Sequence, residues 1–188
     1  ETDSYDTSYS EIDVGCEACH SAGRAHIEAV DQGRVGEVEH GGFEVSLKGN
    51  MFWERLPGAS VASSSKKASP MQVENCGRCH SRRRTLGDYR YGHSLLDTHS
   101  LAMLSPPLYH PDGQIRDEVY VYGSFIQSKM YDAGVVCTNC HEPHSNQLKV
   151  EGNALCGQCH NAGQFDTPDH HRHSNSSEGA QCVNCHMP

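Results

Sequence analysis

All ten cysteines of the chain stand in five C-x-x-C pairs, and a histidine follows each pair directly. Two thiols three positions apart on one turn can both form thioethers with the vinyl groups of one macrocycle, and the next residue then projects its imidazole towards the iron. C-x-x-C-H is the attachment signature of c-type haem. The sequence therefore predicts five covalently bound c-type haems. Their cysteines are Cys16, Cys19, Cys76, Cys79, Cys137, Cys140, Cys156, Cys159, Cys182 and Cys185, and their proximal ligands are His20, His80, His141, His160 and His186.

Three other uses of paired cysteines explain the pattern less well. Structural zinc uses C-x-x-C knuckles in twos, but five is an odd number, and the adjacent histidine would have no role. Five disulfides would fit a domain outside the cytoplasm, but they also leave the histidine unexplained. A thioredoxin-like redox pair would occur once rather than five times. The complete use of cysteine in one motif favours haem, and covalent haem attachment predicts a periplasmic or extracellular location.

The composition indicates that side chains alone cannot form the core. Leu, Ile, Val and Phe make up 31 of 188 residues, the net charge is -9 and the mean hydropathy is -0.65. A chain so poor in apolar residues would normally be disordered. Five apolar macrocycles would supply the missing core. We therefore predict one domain over residues 1–188, a haem-packed multihaem cytochrome c that is mainly α with few short helices, much irregular loop and minimal β structure.

The charge and the apolar pattern limit the partners. An acidic chain is a poor ligand for nucleic acid, and the basic run at residues 82–84 does not reverse the balance. No run of 18 apolar residues occurs, so we expect no transmembrane segment. The haems would add roughly ten propionates. Expected partners are donor and acceptor cytochromes or membrane-bound reductases, and self-association stays open.

Nine further histidines could supply second axial ligands. His144 follows His141 by three residues and His26 follows His20 by six, so on a helical turn neither could reach the far side of the same iron, and each would bind a neighbouring haem. The run at residues 169–173 offers three histidines, of which one or two are expected to ligate. His110 lies in a turn-like sequence. The distal candidates are His26, His110, His144, His171 and His173, while His93, His99 and His40 have less in their sequence surroundings to favour ligation.

Other side chains could replace histidine at one iron. Methionine is an alternative sixth ligand in cytochromes, and lysine is an unusual one. The candidates are Met51, Met71, Met103 and Met130 among the methionines and Lys66, Lys67 and Lys129 among the lysines.

Periodicity and turn residues predict only a few elements. Helices are expected over residues 18–30, 94–104, 122–133 and 153–163, with Gly134 ending the third and Gly163 the last. Residues 43–47 and 119–121 are expected as short strands. Residues 1–13 are expected to be loosely held, and the Gly/Ser/Pro-rich residues 56–70 predict a long flexible loop and the only internal boundary. The motifs start 60, 61, 19 and 26 residues apart, so the last three haems should lie close together.

The chain resembles the multihaem c-type cytochrome superfamily that includes hydroxylamine oxidoreductase-like and nitrite reductase-like proteins, and above all the cytochrome domains fused to tetratricopeptide repeats. The matching residues are 5–26, 108–145, 152–160 and 165–188. The resemblance implies that His144, in C-H-x-P-H, ligates a neighbouring haem, and that His26, His110 and one of His171 and His173 are distal ligands. The family pattern continues before residue 5 and after residue 188, so we expect a stand-alone piece of a larger cytochrome in which one haem has lost a ligand.

Three functions are compatible with these features. Bis-histidine ligation blocks both axial positions and favours an electron-transfer protein that passes electrons between partners along a haem chain. An oxidoreductase acting on a small nitrogen or sulfur compound would need an open iron, and none of the motifs has the C-x-x-C-K form that often marks one in nitrite reductases. A subunit of an extracellular haem filament is the third possibility. The sequence favours the electron carrier over the enzyme.

Overall fold

The computed structural model describes residues 4, 6–10, 13–49, 52–66 and 69–187. The chain divides into two compact units, Glu1–Leu47 and Lys48–Pro188. This division lies ahead of residues 56–70, where the sequence placed the only internal boundary. No helix of the described residues is long and apolar enough to cross a membrane.

The first unit carries one motif on a short helix. Helix α1 (Cys16–His20) ends at Ser21, which has a positive φ of 67°, and α2 (Arg24–Asp31) starts three residues later. The predicted continuous helix over residues 18–30 is therefore wrong. A 3-10 helix, Glu39–Gly42, packs on α2 so closely that a Cβ on Gly42 would lie 2.8 Å from the Ala25 backbone. Residues 43–47 are described and form no strand.

The second unit consists of short helices and strands joined by long connections. Its helices are α3 (Met71–Gly77), α4 (Tyr122–Ile126), α5 (Lys129–Asp132), α6 (Asn153–Gly157), α7 (Ala162–Phe165), α8 (Pro168–His171) and α9 (Val183–His186), with 3-10 turns at Leu95–Asp97, Cys137–Asn139 and Glu178–Ala180. Strands β1 (Arg83–Thr85) and β2 (His99–Leu101) pair antiparallel, as do β3 (His141–Glu142) and β4 (Gln147–Leu148).

A small apolar cluster holds the second and third motifs. Val73, Leu95, Tyr122 and Val136 are buried together. The Tyr122 ring lies over Gly77, where an added Cβ would come within 2.5 Å of it, so only glycine fits at this position of the second motif. Val136 directly precedes the third motif. This cluster therefore connects the two motifs through the few apolar side chains that the composition provides.

Four further predicted elements differ from the structure. The helix expected over residues 122–133 is interrupted, because Ser128 caps a new helix by accepting a hydrogen bond from the Tyr131 N–H at 3.1 Å. Gly134 ends it with a φ of 95°, as expected. Residues 94–104 form a 3-10 turn and strand β2 instead of a helix, and residues 119–121 are described without a strand. The helix expected over residues 153–163 divides into α6 and α7.

The Gly/Ser/Pro-rich segment is attached to the fourth motif. Glu54 and Ser63 form an antiparallel bridge, and Val61 forms another with His160. The Ala62 N–H donates to the Cys159 carbonyl at 2.8 Å, and Ala62 is buried. Residues 67 and 68 of the predicted loop lie outside the described part. The haem-packed class of fold stays a prediction.

Candidate haem-binding sites

Most of the motifs form a helical turn. The N–H of the motif histidine donates to the carbonyl of the first cysteine in the second motif (His80 to Cys76, 2.9 Å), the fourth (His160 to Cys156, 2.9 Å) and the fifth (His186 to Cys182, 3.0 Å), and α1 contains the whole first motif. A turn of this kind presents both cysteines on one side. The local backbone thus suits two thioethers to one macrocycle.

The third motif departs from this pattern. The backbone N–H of Cys140 donates to the Cys137 carbonyl at 3.1 Å within a 3-10 turn. His141, however, already belongs to β3 and pairs with Leu148. His144 then lies in the turn of the β3–β4 hairpin. The prediction that His141 and His144 lie on one helical turn is therefore wrong. The assignment of His144 to a neighbouring haem stays a prediction.

The donor sets fit haem better than zinc. Among the described residues, which include every cysteine, no disulfide forms, and the ten sulfur atoms belong to exposed or half-buried residues. In the same part of the chain, no three histidine, cysteine or acidic side chains converge as a metal cluster. Tetrahedral zinc needs four such ligands, whereas covalent haem needs two thiols and axial ligands for its iron. The residues therefore fit covalently attached haem.

The second and third motifs are neighbours in space. The Cys76 thiol donates to the Cys137 sulfur, and this contact together with burial raises the pKa of Cys76. The Gln72 Oε1 atom, on α3, accepts hydrogen bonds from the backbone N–H and the hydroxyl of Thr138, each at 3.0 Å. These bonds hold the two motifs together although they start 61 residues apart.

The third, fourth and fifth motifs continue this series. Burial, and then the nearby Cys159 thiol, raises the pKa of Cys140. Burial, and then the Cys156 thiol, raises the pKa of Cys182, and the two side chains are hydrogen-bonded. The four motifs of the second unit thus follow one another in space in the order of the sequence. The last three motifs therefore lie next to one another, and the expected closeness of their haems stays a prediction.

The His26 ring is oriented for ligation through Nε2. Its Nδ1–H donates to the Gly41 carbonyl at 2.7 Å, which leaves the lone pair on Nε2. Phe43 stacks on His26 at a centroid distance of 4.4 Å and also lies 5.3 Å from the ring of proximal His20. A backbone carbonyl on the second ring nitrogen is the usual support of a metal-binding histidine. His26 has this support.

His144 has the same kind of support from a carboxylate. Its Nδ1–H donates to Glu142 Oε1 at 3.1 Å, and its backbone N–H donates to the same oxygen at 3.2 Å. These bonds lower the pKa of Glu142. The carboxylate fixes the tautomer and makes the imidazole a stronger donor. His144 is exposed and presents Nε2 away from Glu142.

The three histidines at residues 170–173 have different surroundings. The His170 ring lies near that of proximal His186, and Phe165 lies between His160 and His170. His171 Nδ1 accepts the His173 N–H at 3.2 Å, and its Nε2 is buried with no hydrogen-bond partner among the described atoms. His173 packs against Gly179. The sequence offers all three histidines and favours His171 and His173, whereas the structure places His170 beside a proximal ligand.

The other distal candidates occupy turns or lie near the second motif. His110 is exposed in a tight turn that the hydrogen bonds between residues 110, 113 and 114 close, as the sequence predicted. His93 is exposed, and His40 lies 4.0 Å from Glu39. His99 is buried on β2, where burial and Arg83 lower its pKa. For these four histidines, binding to iron stays a prediction.

The alternative methionine and lysine ligands are distributed along the chain. Met51 and Lys67 lie outside the described residues. Met71 begins α3, Met130 is half-buried on α5, and Met103 is exposed. Lys66 and Lys129 are exposed.

A small cationic cavity of about 190 Å³ adjoins the second motif. Arg78, Arg83, Tyr89 and His99 line it together with Cys79. The Arg78 guanidinium lies 4.4 Å from the Tyr89 ring centroid and 5.1 Å from that of Tyr91. Asp88 also lines the cavity, but the two guanidinium groups leave a net positive lining that suits a carboxylate such as a propionate of the haem on the second motif.

Comparison with known families agrees with this chemistry. The family described as "Doubled CXXCH motif" matches residues 130–165, which contain the third and fourth motifs. The match indicates covalent c-type haem and a multihaem c-type cytochrome, and it favours an electron-transfer protein over an enzyme. No curated protein and no solved structure matches the chain significantly.

Proposed function

We propose that this chain is a pentahaem electron-transfer protein that works outside the cytoplasm, and that it passes electrons between redox partners along its covalently bound haems. The observation that carries the proposal is the spatial series of motifs in the second unit. The thiols of Cys76 and Cys137 are in contact, and Cys140 lies near Cys159. The Cys156 and Cys182 side chains are hydrogen-bonded. Macrocycles attached at neighbouring thiols lie close together, and close haems are what electron hopping requires.

The residues have distinct tasks in this function. Each bound haem supplies an iron that changes between its ferrous and ferric states. The ten cysteines fix the positions of the macrocycles, and the five motif histidines bind from one side. His26 and His144 are suited to bind from the other, because Gly41 and Glu142 hold their Nδ1–H groups. Two protein ligands on an iron leave no position for a substrate.

The number of haems and the function are tested separately. Intact mass under denaturing conditions should exceed the mass of the polypeptide by five haem masses, and a tryptic map should place one haem on each motif. The purified protein should then accept electrons from a low-potential dye and pass them to an oxidised c-type cytochrome. Fewer haems would contradict the pentahaem assignment. Turnover of nitrite or hydroxylamine at about 1 per second or more would favour the enzyme.

Self-association is tested on the same preparation. The filament alternative requires a subunit to complete a haem site of its neighbour. Light scattering at rising concentration separates it from a discrete carrier. A monomer in which all irons are low-spin supports the electron-carrier function. Fibres that form as the concentration rises support the filament alternative.

A further inference from the structure

The rings of His170 and His186 lie close together with nearly parallel planes in the second unit. Their centroids are 6.2 Å apart and their planes differ by 8°. His170 lies on α8, and His186 ends α9 as the histidine of the fifth motif. We propose that His170 is the sixth ligand of the iron that His186 binds. This inference rests on the proposed function, because it requires haem on the fifth motif.

The distance agrees with coordination of one metal by both rings. An imidazole nitrogen lies about 2.0 Å from a bound metal. It lies about 1.15 Å from the centroid of its own ring, whose bonds are about 1.35 Å long. Two imidazoles on opposite sides of one iron therefore have centroids about 6.3 Å apart. The observed 6.2 Å is close to this value, and the near-parallel planes are one of the two common arrangements of axial imidazoles.

Exposure separates this arrangement from ordinary stacking. Offset aromatic pairs also occur at centroid distances up to about 7 Å. Such a pair is stabilised by burying ring faces against each other, whereas His170 and His186 are both exposed. Two exposed imidazoles remain accessible to a macrocycle that enters between them.

The neighbours of His170 are less suited to this iron. His171 Nδ1 accepts the backbone N–H of His173, so the neutral His171 ring carries its proton on Nε2, the nitrogen that would have to coordinate. The His173 ring packs on Gly179, where an added Cβ would come within 2.5 Å of it. Of the three histidines, His170 is the one that lies next to a proximal ligand.

The chain between the two rings is held in place. Asn153 Nδ2 donates to the Ala180 carbonyl at 2.8 Å, and Asn153 Oδ1 accepts the Cys182 N–H at 2.9 Å. The 3-10 turn Glu178–Ala180 contacts both α8 and α9. These bonds fix the fifth motif on the unit that also carries His170, so the separation of the two rings is a built feature.

The test counts low-spin haems by EPR and magnetic circular dichroism in His170→Ala, His186→Ala and the double variant. We expect each single variant to lose one low-spin haem, and the double variant to lose one and not two, because both side chains serve one iron. Imidazole added to His170→Ala should restore the lost signal. An unchanged count in His170→Ala, or a loss of two in the double variant, overturns the assignment.

A second variant covers the case in which His170→Ala does not fold. His170→Met offers a thioether in place of the imidazole, so it should add the long-wavelength absorption band of His/Met ligation and raise one midpoint potential. If neither change occurs in the folded variant, the assignment is wrong. Peptide mass mapping separates the two proposals. A peptide containing Cys182 and Cys185 without haem overturns the proposed function at this motif, and the ligand assignment with it. A haem-loaded peptide with an unchanged low-spin count overturns the ligand assignment alone.

Discussion

Asn153 binds directly to the backbone of Cys182, 29 residues later in the chain. Its Oδ1 accepts the Cys182 N–H at 2.9 Å, while its Nδ2 donates to the Ala180 carbonyl and to Asp166, each at 2.8 Å. Asn153 begins α6, the helix that leads into the fourth motif. One amide side chain therefore joins the fourth and fifth motifs. From the sequence, residue 153 is only the first residue of a predicted helix.

Replacing Asn153 with Ala should loosen this junction. Two partly buried backbone groups lose their partner, which costs about 2 kcal/mol and should lower the melting temperature of the haem-loaded protein by about 4–8 °C. Thermal melting followed by far-UV circular dichroism measures the shift. The matched control is Asn161→Ala, which removes one exposed bond to the Gly163 N–H. Equal shifts in both variants would contradict the role of Asn153.

His26→Ala should convert one haem from low spin to high spin. The Gly41 carbonyl holds the Nδ1–H of His26, so Nε2 is the nitrogen that can reach an iron. EPR at low temperature counts the two spin states. His40→Ala serves as control, since His40 lies nearby on the 3-10 turn and its Nε2 lies 4.0 Å from the carboxylate of the exposed Glu39. If His40→Ala loses the low-spin haem and His26→Ala does not, the assignments are reversed.

His144→Ala should also remove one low-spin haem while the haem on Cys137 and Cys140 keeps its thioethers and His141. The measurement combines EPR with mass mapping of the third motif. An unchanged low-spin count would remove His144 from the ligand set.

Glu142 allows a finer test of the same ligand. Its carboxylate accepts the Nδ1–H of His144 at 3.1 Å and strengthens the imidazole as a donor to ferric iron. Glu142→Gln should therefore raise one midpoint potential by about 50 mV. Glu151→Gln removes the same charge from an exposed position and controls for net charge. Equal shifts in both variants would mean that the hydrogen bond is unimportant.

Arg78 should stabilise the second motif through its aromatic neighbours. It lies between the rings of Tyr89 and Tyr91 and donates to the Tyr91 hydroxyl at 3.0 Å. Arg78→Ala is expected to cost about 1–2 kcal/mol, measured as a shift in thermal melting at equal haem content. Arg82→Ala, which loses one exposed bond to the Glu118 carbonyl, should change stability little. A larger effect at Arg82 would contradict the interpretation.

The local structure of the motifs could be predicted from the sequence, but the conformation of the chain between the motifs could not. The C-x-x-C-H spacing gave the helical turns, and Gly134 and the turn at His110 were recognised from local residue types. The helix expected over residues 94–104 failed because residues 99–101 pair as a strand with residues 83–85, a contact that local propensity does not contain. The importance of His170 depended on the position of α9, which the run at residues 169–173 does not reveal.

Carbon monoxide tests how many irons lack a firm sixth ligand. Nine histidines beyond the motifs serve five irons, and no motif has the C-x-x-C-K form, so we expect at least four haems to hold two protein ligands. We allow for one exception, at which methionine, lysine or no protein ligand completes the iron. Carbon monoxide added to the reduced protein should therefore shift at most about one-fifth of the Soret absorbance if the haems absorb equally. Imidazole-treated His170→Ala and His26→Ala serve as references, since each should gain carbon monoxide binding that imidazole suppresses. Rapid binding at two or more haems of the unaltered protein would replace the carrier with an enzyme that acts on a small molecule at iron.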